Sequence, residues 1–261
     1  MPRLNGGYVA EDALLRVSGL GHSFGAVKVL RNVSFDVPHG GLIGLIGPNG
    51  SGKTTLFNLI SGYIEPLAGT VVFGGKRMAS MPVEERSRNG LVRTFQTPRV
   101  FESMTVLENI MAGCANASGA GMLAEMFALP SARRARGLML ERAQEVCKQF
   151  DLWALRDAPT RTLPAGQRRM LEIARAVAGQ PKLLMLDEPS SGLNDGEVKV
   201  LERWVAKLRD DGIATLLVSH DMELMAVADT VHMLYNGELL VSGDMTSLQN
   251  DPKVRDVYLG V

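Results

Sequence analysis

GPNGSGKTT, residues 47–55, fits the spacing GxxxxGK[ST] and stands between an apolar run, GLIGLI (41–46), and a helical stretch, TTLFNLISGY (54–63). Strand, glycine-rich turn and helix in that order are the context such a loop requires, which a chance glycine-rich turn lacks. Gly47, Gly50 and Gly52 let backbone N–H groups curl around phosphate oxygens, with Pro48, Asn49 and Ser51 completing the turn. Lys53 supplies a mobile cation, Thr54 a hydroxyl for Mg²⁺, and Thr55 continues the loop into the helix.

Two further apolar runs, KLLMLD (182–187) and TLLVSH (215–220), end in a polar residue as GLIGLIG does, the pattern of buried parallel strands. Open α/β sheets bind ligands at the carboxyl ends of their strands, so these ends are expected to line one site. LLRV (14–17), NVSFDV (32–37) and TVVF (70–73) mix alternation with turn residues and predict a small antiparallel sheet. From Phe95 to Thr162 the chain turns Met-, Ala- and Arg-rich and helical, notably over 122–150, with no strand run of comparable strength. TVHMLYNGELLVSGD (230–244) predicts a hairpin turning at Asn236-Gly237, and TSLQNDPKVRDVYLGV (246–261) a short helical end.

With 261 residues the chain has room for one large domain with an inserted lobe. Its 28 Lys and Arg balance 28 Asp and Glu, so bulk charge does not drive binding to nucleic acid or acidic lipid, and any anion must be bound locally. Cys114 and Cys147 have no metal spacing; they fit a reducing compartment and predict no disulfide. The start MPRLNGGYVAEDALL has no apolar signal core and no run of 18 apolar residues occurs, so a chain that is neither exported nor membrane-spanning is expected.

Asp187 closes a buried strand, where a carboxylate needs a cationic partner; Mg²⁺ shared with Thr54 is the expected one. Glu188 is suited either to activate an attacking water or to cap a helix starting near Pro189 and Ser190. His220 is either a phosphate contact or a structural histidine, and Gln96 either a ligand of Mg²⁺ or water or a surface amide. After LPAGQ (163–167), Met170, Ile173, Ala174 and Val177 recur at helical spacing, with Arg168, Arg169, Glu172 and Arg175 on the other faces. The free amides near Ala165, Gly166 and Gln167 carry the positive end of the helix dipole and should face an anion.

Taken together these motifs resemble the ATP-binding subunit of an ABC transporter. GPNGSGKT is similar to the Walker A motif, LLMLDE to Walker B with its glutamate, LPAGQ to the signature, Gln96 to the Q-loop, His220 to the H-loop and SGLND (191–195) to the D-loop. The resemblance implies a P-loop NTPase α/β core with a mainly parallel sheet, an antiparallel β subdomain and an inserted helical signature lobe. It would be a single domain spanning 1–261, with 1–95 and 182–261 forming the core and 96–181 the lobe. It further implies ATP and Mg²⁺ as ligands and Phe24 stacked on adenine. It also implies a second ATPase subunit, a copy or a companion paralogue, against whose nucleotide Leu163, Ala165, Gly166 and Gln167 would pack. RTFQTPRVF, TVLENI, EIARA and VYLG are similar more narrowly to the ATPases of branched-chain amino acid importers, whose relatives serve urea, amide and aromatic-acid uptake. That implies hydrolysis coupled to two membrane permeases, an extracytoplasmic solute-binding protein acting through them, and a peripheral position on the cytoplasmic face of the inner membrane.

Two residues depart from the family pattern: Pro164 stands where a serine hydroxyl is usual, and Asn194 where an aspartate is usual. They keep in view a nucleotide-gated module that hydrolyses little; a non-transport ABC ATPase is a separate alternative, whose usual tandem cassettes, long coiled coils or basic surfaces the sequence lacks. A GTPase is disfavoured by the lack of an NKxD stretch. Arg133, Arg134 and Arg136 with Met122, Met126 and Phe127 are either a membrane-partner contact or lobe core beneath a solvated face.

Overall fold

A computed structural model describes residues 13–114 and 130–259. The long strands β1 (Ala13–Phe24) and β2 (Val27–Pro38) are followed by β3 (Leu42–Ile46), which feeds the glycine-rich turn and α1 (Lys53–Ser61). Strands β4 (Ala68–Phe73) and β5 (Lys76–Arg77), helix α2 (Val83–Arg88) and strand β6 (Leu91–Arg93) come next. A helical stretch then holds α3 (Val106–Cys114), α4 (Pro130–Gln149) and α5 (Ala165–Ala178). The chain returns through β7 (Leu183–Asp187), α6 (Asp195–Asp210), β8 (Ala214–Val218), α7 (Met222–Met225), β9 (Thr230–Tyr235) and β10 (Glu238–Gly243), and ends in α8 (Met245–Asn250) and α9 (Pro252–Leu259).

Two sheets result. One is antiparallel, in the order β2-β1-β4-β5; the other runs β10-β9-β3-β8-β7-β6, parallel throughout except for the antiparallel β10 edge. Every residue of β3, β7 and β8 is buried because both faces of the sheet are covered, hence their mainly apolar sequences, broken only by Asp187 and Thr215. Period-two alternation assigns their side chains to two cores. Leu42, Ile46, Leu184, Leu186 and Leu217 join the helices, while Ile43, Leu45, Leu183, Met185 and Leu216 join α1 and the antiparallel sheet.

The expected strands are all present, and β1 and β2 extend to 12 residues each. The sequence reading missed β6: three residues at a sheet edge are too few to show a period, yet Leu91 is buried and Arg93 is delivered to the carboxyl end of the sheet. The predicted hairpin forms, and its turn residues Asn236 (φ 47°) and Gly237 (φ 82°) both take the left-handed backbone that a type I′ turn demands. This turn is pinned to β2 by Arg31 N donating to Gly237 O at 2.8 Å, and to the glycine-rich turn by Gly237 N donating to Ser51 O at 3.2 Å. A Cβ on Gly237 would lie 2.4 Å from Val29 O, so only glycine lets the contact close.

Among the described residues no helix is long and apolar enough to cross a membrane. Met122, Met126 and Phe127 lie outside the described residues; Arg134 and Arg136 are exposed on α4.

Candidate functional site

The turn after β3 is shaped as a cradle. Gly47 has φ 151°, and a Cβ there would meet Leu234 O at 2.1 Å; Gly52 has φ 110°, and its Cβ would meet Leu30 Cδ2 at 2.7 Å. Gly50 has open space where a side chain would go, and the buried Ser51 hydroxyl has no partner among the described residues. A turn whose backbone packs too closely at Gly47 and Gly52 for any side chain, with Gly50 and Gly52 on the cleft wall, fits a loop that wraps a phosphate chain. Lys53 is buried, its Nζ donating to Gly47 O at 2.7 Å and Pro48 O at 3.0 Å. Burial lowers its pKa, opposed by the charges of Glu188 and Asp187.

A cleft of about 540 Å³ opens over this loop, with Asn49, Gly50, Gly52, Lys53, Thr54, Thr55, Gln96, Asp187, Glu188 and His220 on its walls. Residues read from four separate stretches of sequence thus meet in one place. Ser191, the first residue of SGLND, completes the lining with Val29 and Val218, which carried no chemical signal in the sequence.

Asp187 ends β7 with a cationic partner that the sequence reading did not find. Arg93 Nη2 donates to Asp187 Oδ2 at 2.7 Å, and the same guanidinium binds Asn58 Oδ1 at 2.7 Å and Ser61 Oγ at 3.1 Å on α1. Its charge also lies 5.3–5.7 Å from the ring centres of Phe57, Tyr63 and Phe95. Asp187 is therefore paired by protein, correcting the expectation that Mg²⁺ alone would offset its burial.

Glu188 adopts φ 48°, a strained backbone for a side-chain-bearing residue, and its N–H donates to Val218 O at 2.9 Å. No helix starts there, which removes the capping reading; the next helix is capped by Asn194 instead. The Glu188 Oε1 to His220 Nε2 distance is 3.0 Å. Burial raises the Glu188 pKa, against the pull of His220 and Lys53. A carboxylate that holds protons more readily than usual, beside an imidazole in a phosphate-shaped cleft, is equipped to accept a proton from water.

LPAGQ occupies a different place. Leu163 is buried, Pro164 caps α5 without a side-chain hydrogen bond, and none of Leu163, Ala165, Gly166 or Gln167 lines the cleft. Gly166 is packed by α6: a Cβ would fall 1.9 Å from Glu197 Oε1. Asn194 and Glu197 form a reciprocal capping box at the start of α6, an N-cap role that an aspartate would fill as well. Phe24, half exposed at the end of β1, stands edge-on to His22 at 4.8 Å and does not line the cleft. Arg169 and Glu172, read as polar faces of α5, are instead buried as an ion pair at 2.8 Å.

Residues 30–191 match the ABC transporter family model, and the chain belongs to that family. Among its relatives, the high-affinity branched-chain amino acid transport ATP-binding protein LivG of Salmonella typhimurium is 37% identical over 252 residues, 96% of this chain and 99% of that protein. BraF of Pseudomonas aeruginosa, of the same description, is 36% identical over 95% of this chain and 98% of its own length. The lipopolysaccharide export ATP-binding protein LptB of Acidithiobacillus ferridurans is 34% identical over 95% of both chains. The crystal structure of the ATP-binding cassette MJ1267 in its ADP conformation superposes with a TM-score of 0.81 at 32% identity, covering 95% of this chain and 99% of that one.

Proposed function

We propose that this chain is the ATP-hydrolysing subunit of an ABC importer for branched-chain amino acids or related small polar solutes. The observation that carries the reading is the Glu188–His220 pair set across one cleft from Lys53 and its loop. In this reading Gly47, Pro48, Asn49, Gly50, Ser51, Gly52 and Thr55 wrap the phosphates, Lys53 bridges the terminal ones, and Phe24 reaches the adenine when nucleotide is bound. Glu188 accepts a proton from the attacking water as its oxygen bonds to the γ-phosphorus and ADP departs; His220 holds the γ-phosphate. Thr54 and Asp187, with Gln96, would hold Mg²⁺, which neutralises phosphate charge when bound. Asp187 lines the cleft alongside Thr54 and is held by Arg93, so the donor set suits a hard cation.

The separation of LPAGQ from the cleft supports a head-to-tail dimer in which Leu163, Ala165, Gly166 and Gln167 cap nucleotide held by a second ATPase subunit. Residues 1–95 and 182–261 form the nucleotide core and 96–181 the helical lobe that passes motion to two membrane permeases, served by an extracytoplasmic solute-binding protein. The subunit would sit on the cytoplasmic face of the inner membrane and bind no nucleic acid. The similarity to LivG and BraF supports the cargo class. Pro164, which has no side-chain donor, favours one second reading: a nucleotide-gated module with little turnover. Steady-state ATP hydrolysis by the chain assembled with its permeases distinguishes the two. Stimulation of turnover by a loaded solute-binding protein supports the importer, and a nucleotide-binding complex without turnover supports the module.

A further inference from the structure

Between β6 and α3 the chain runs without regular secondary structure, and its backbone must find hydrogen-bond partners elsewhere. At the segment bearing Gln96 those partners come from α5. Arg169 Nη1 donates to Phe95 O at 2.5 Å, and Nη2 donates to Gln96 O. Glu172 Oε1 accepts from Arg99 N at 3.1 Å and Phe95 N at 3.4 Å, while its Oε2 accepts from Arg169 Nη1 at 2.8 Å. Phe95 is thus clamped on both its N–H and its carbonyl by one ion pair whose side chains are 1% and 3% exposed.

Stability alone does not explain such a pair. Buried ion pairs are on balance no better than well-packed apolar residues, and here Arg169 Nε is buried with no acceptor among the described residues. Neither side chain lines the cleft. What the pair does is join two parts of the site: α5 starts at Ala165 and Gly166, within one helical turn of Arg169. Any shift of the LPAGQ end carries the Gln96 backbone with it.

We propose that Arg169 and Glu172 are positioning residues for hydrolysis that act through Gln96, setting its reach into the cleft according to where α5 sits. The proposal rests on the reading of Gln96 as a residue of the hydrolytic site. It is tested by steady-state ATP hydrolysis of the full chain in a double-mutant cycle of Arg169→Lys with Gln96→Ala, with a melting curve for each variant. Arg169→Lys keeps the charge and loses the two-pronged grip; it should lower kcat about 10-fold with KM for ATP within about 2-fold, the signature of a misplaced group rather than lost binding. The double variant should be no slower than the slower single one. Should Arg169→Lys fail to fold, Glu172→Gln, which keeps the shape and weakens the clamp, takes its place in the same cycle. Defects that multiply in the double variant, or a folded clamp variant with wild-type kcat, overturn the proposal alone. A Gln96→Ala chain with full kcat overturns the reading of Gln96 and the proposal with it.

Discussion

Arg93 and Asp187 lie on neighbouring parallel strands and meet at 2.7 Å beneath the nucleotide cleft, the guanidinium reaching on to Asn58 and Ser61 of the helix that follows the phosphate loop. With side chains 6% and 10% exposed, the pair is removed from water, and deleting one partner strands the other. Arg93→Met should therefore cost about 3–5 kcal/mol in urea unfolding and raise the Mg²⁺ concentration needed for turnover. A loss below about 0.5 kcal/mol would show that Asp187 is solvated by another route.

Glu188→Gln should retain ATP binding, read by equilibrium dialysis, while hydrolysis drops by about 10²–10⁴. In the proposed mechanism Glu188 works as a carboxylate, and burial raises its pKa. Activity should accordingly fall with decreasing pH through an inflection above that of an ordinary glutamate. A pH-rate profile of the Gln variant should lack that limb; an unchanged limb would assign it to another group.

His232, on β9, stays neutral down to about pH 4 because burial disfavours its charged form, whereas in the unfolded chain it takes its proton near 6.5. The folded pKa is depressed, so stability is complete above 6.5 and declines as pH falls from 6.5 toward 4, by about 1–3 kcal/mol. Chemical unfolding of His232→Gln across that window should give a flatter curve than the native chain.

Both thiols are buried, and burial pushes Cys147 up to about 11 and raises Cys114. A thiol-disulfide exchange reagent at pH 8 should find neither until the chain is unfolded, when both react. Rapid labelling of the native protein would contradict this.

Gly166 leaves no room for a side chain toward α6: a Cβ there would fall 1.9 Å from Glu197 Oε1. Gly166→Ala should push Glu197 out of its capping box and cost about 1 kcal/mol, with a smaller cost in a Glu197→Ala background. Equal costs in both backgrounds would mean that α5 moves instead.

Legibility followed chemistry and length. Short, mostly apolar runs announced β3, β7 and β8, and Asn236-Gly237 announced the hairpin, because each carries a local signal sufficient by itself. Lys53, Asp187, Glu188 and His220 stood at strand ends or in a spaced motif, which marked them for one cleft before any coordinates. Arg93 escaped notice because its role depends on a three-residue strand set by tertiary pairing. Arg169 and Glu172 show in the sequence only as charges on the faces of an amphipathic helix away from its apolar stripe. Only the irregular backbone of residues 95–99, folded against them, makes their burial favourable.

The β9–β10 turn bonds to Ser51 and Arg31, and Leu234 O closes off the side-chain space at Gly47. The phosphate loop, residues 47–55, is thus braced by a segment far from it in sequence, the turn between β9 and β10. Without that turn the motif loses the contacts at Ser51 and Gly47 that hold it. The shape of the glycine-rich turn is in this way a property of the folded sheet and not of its nine residues alone.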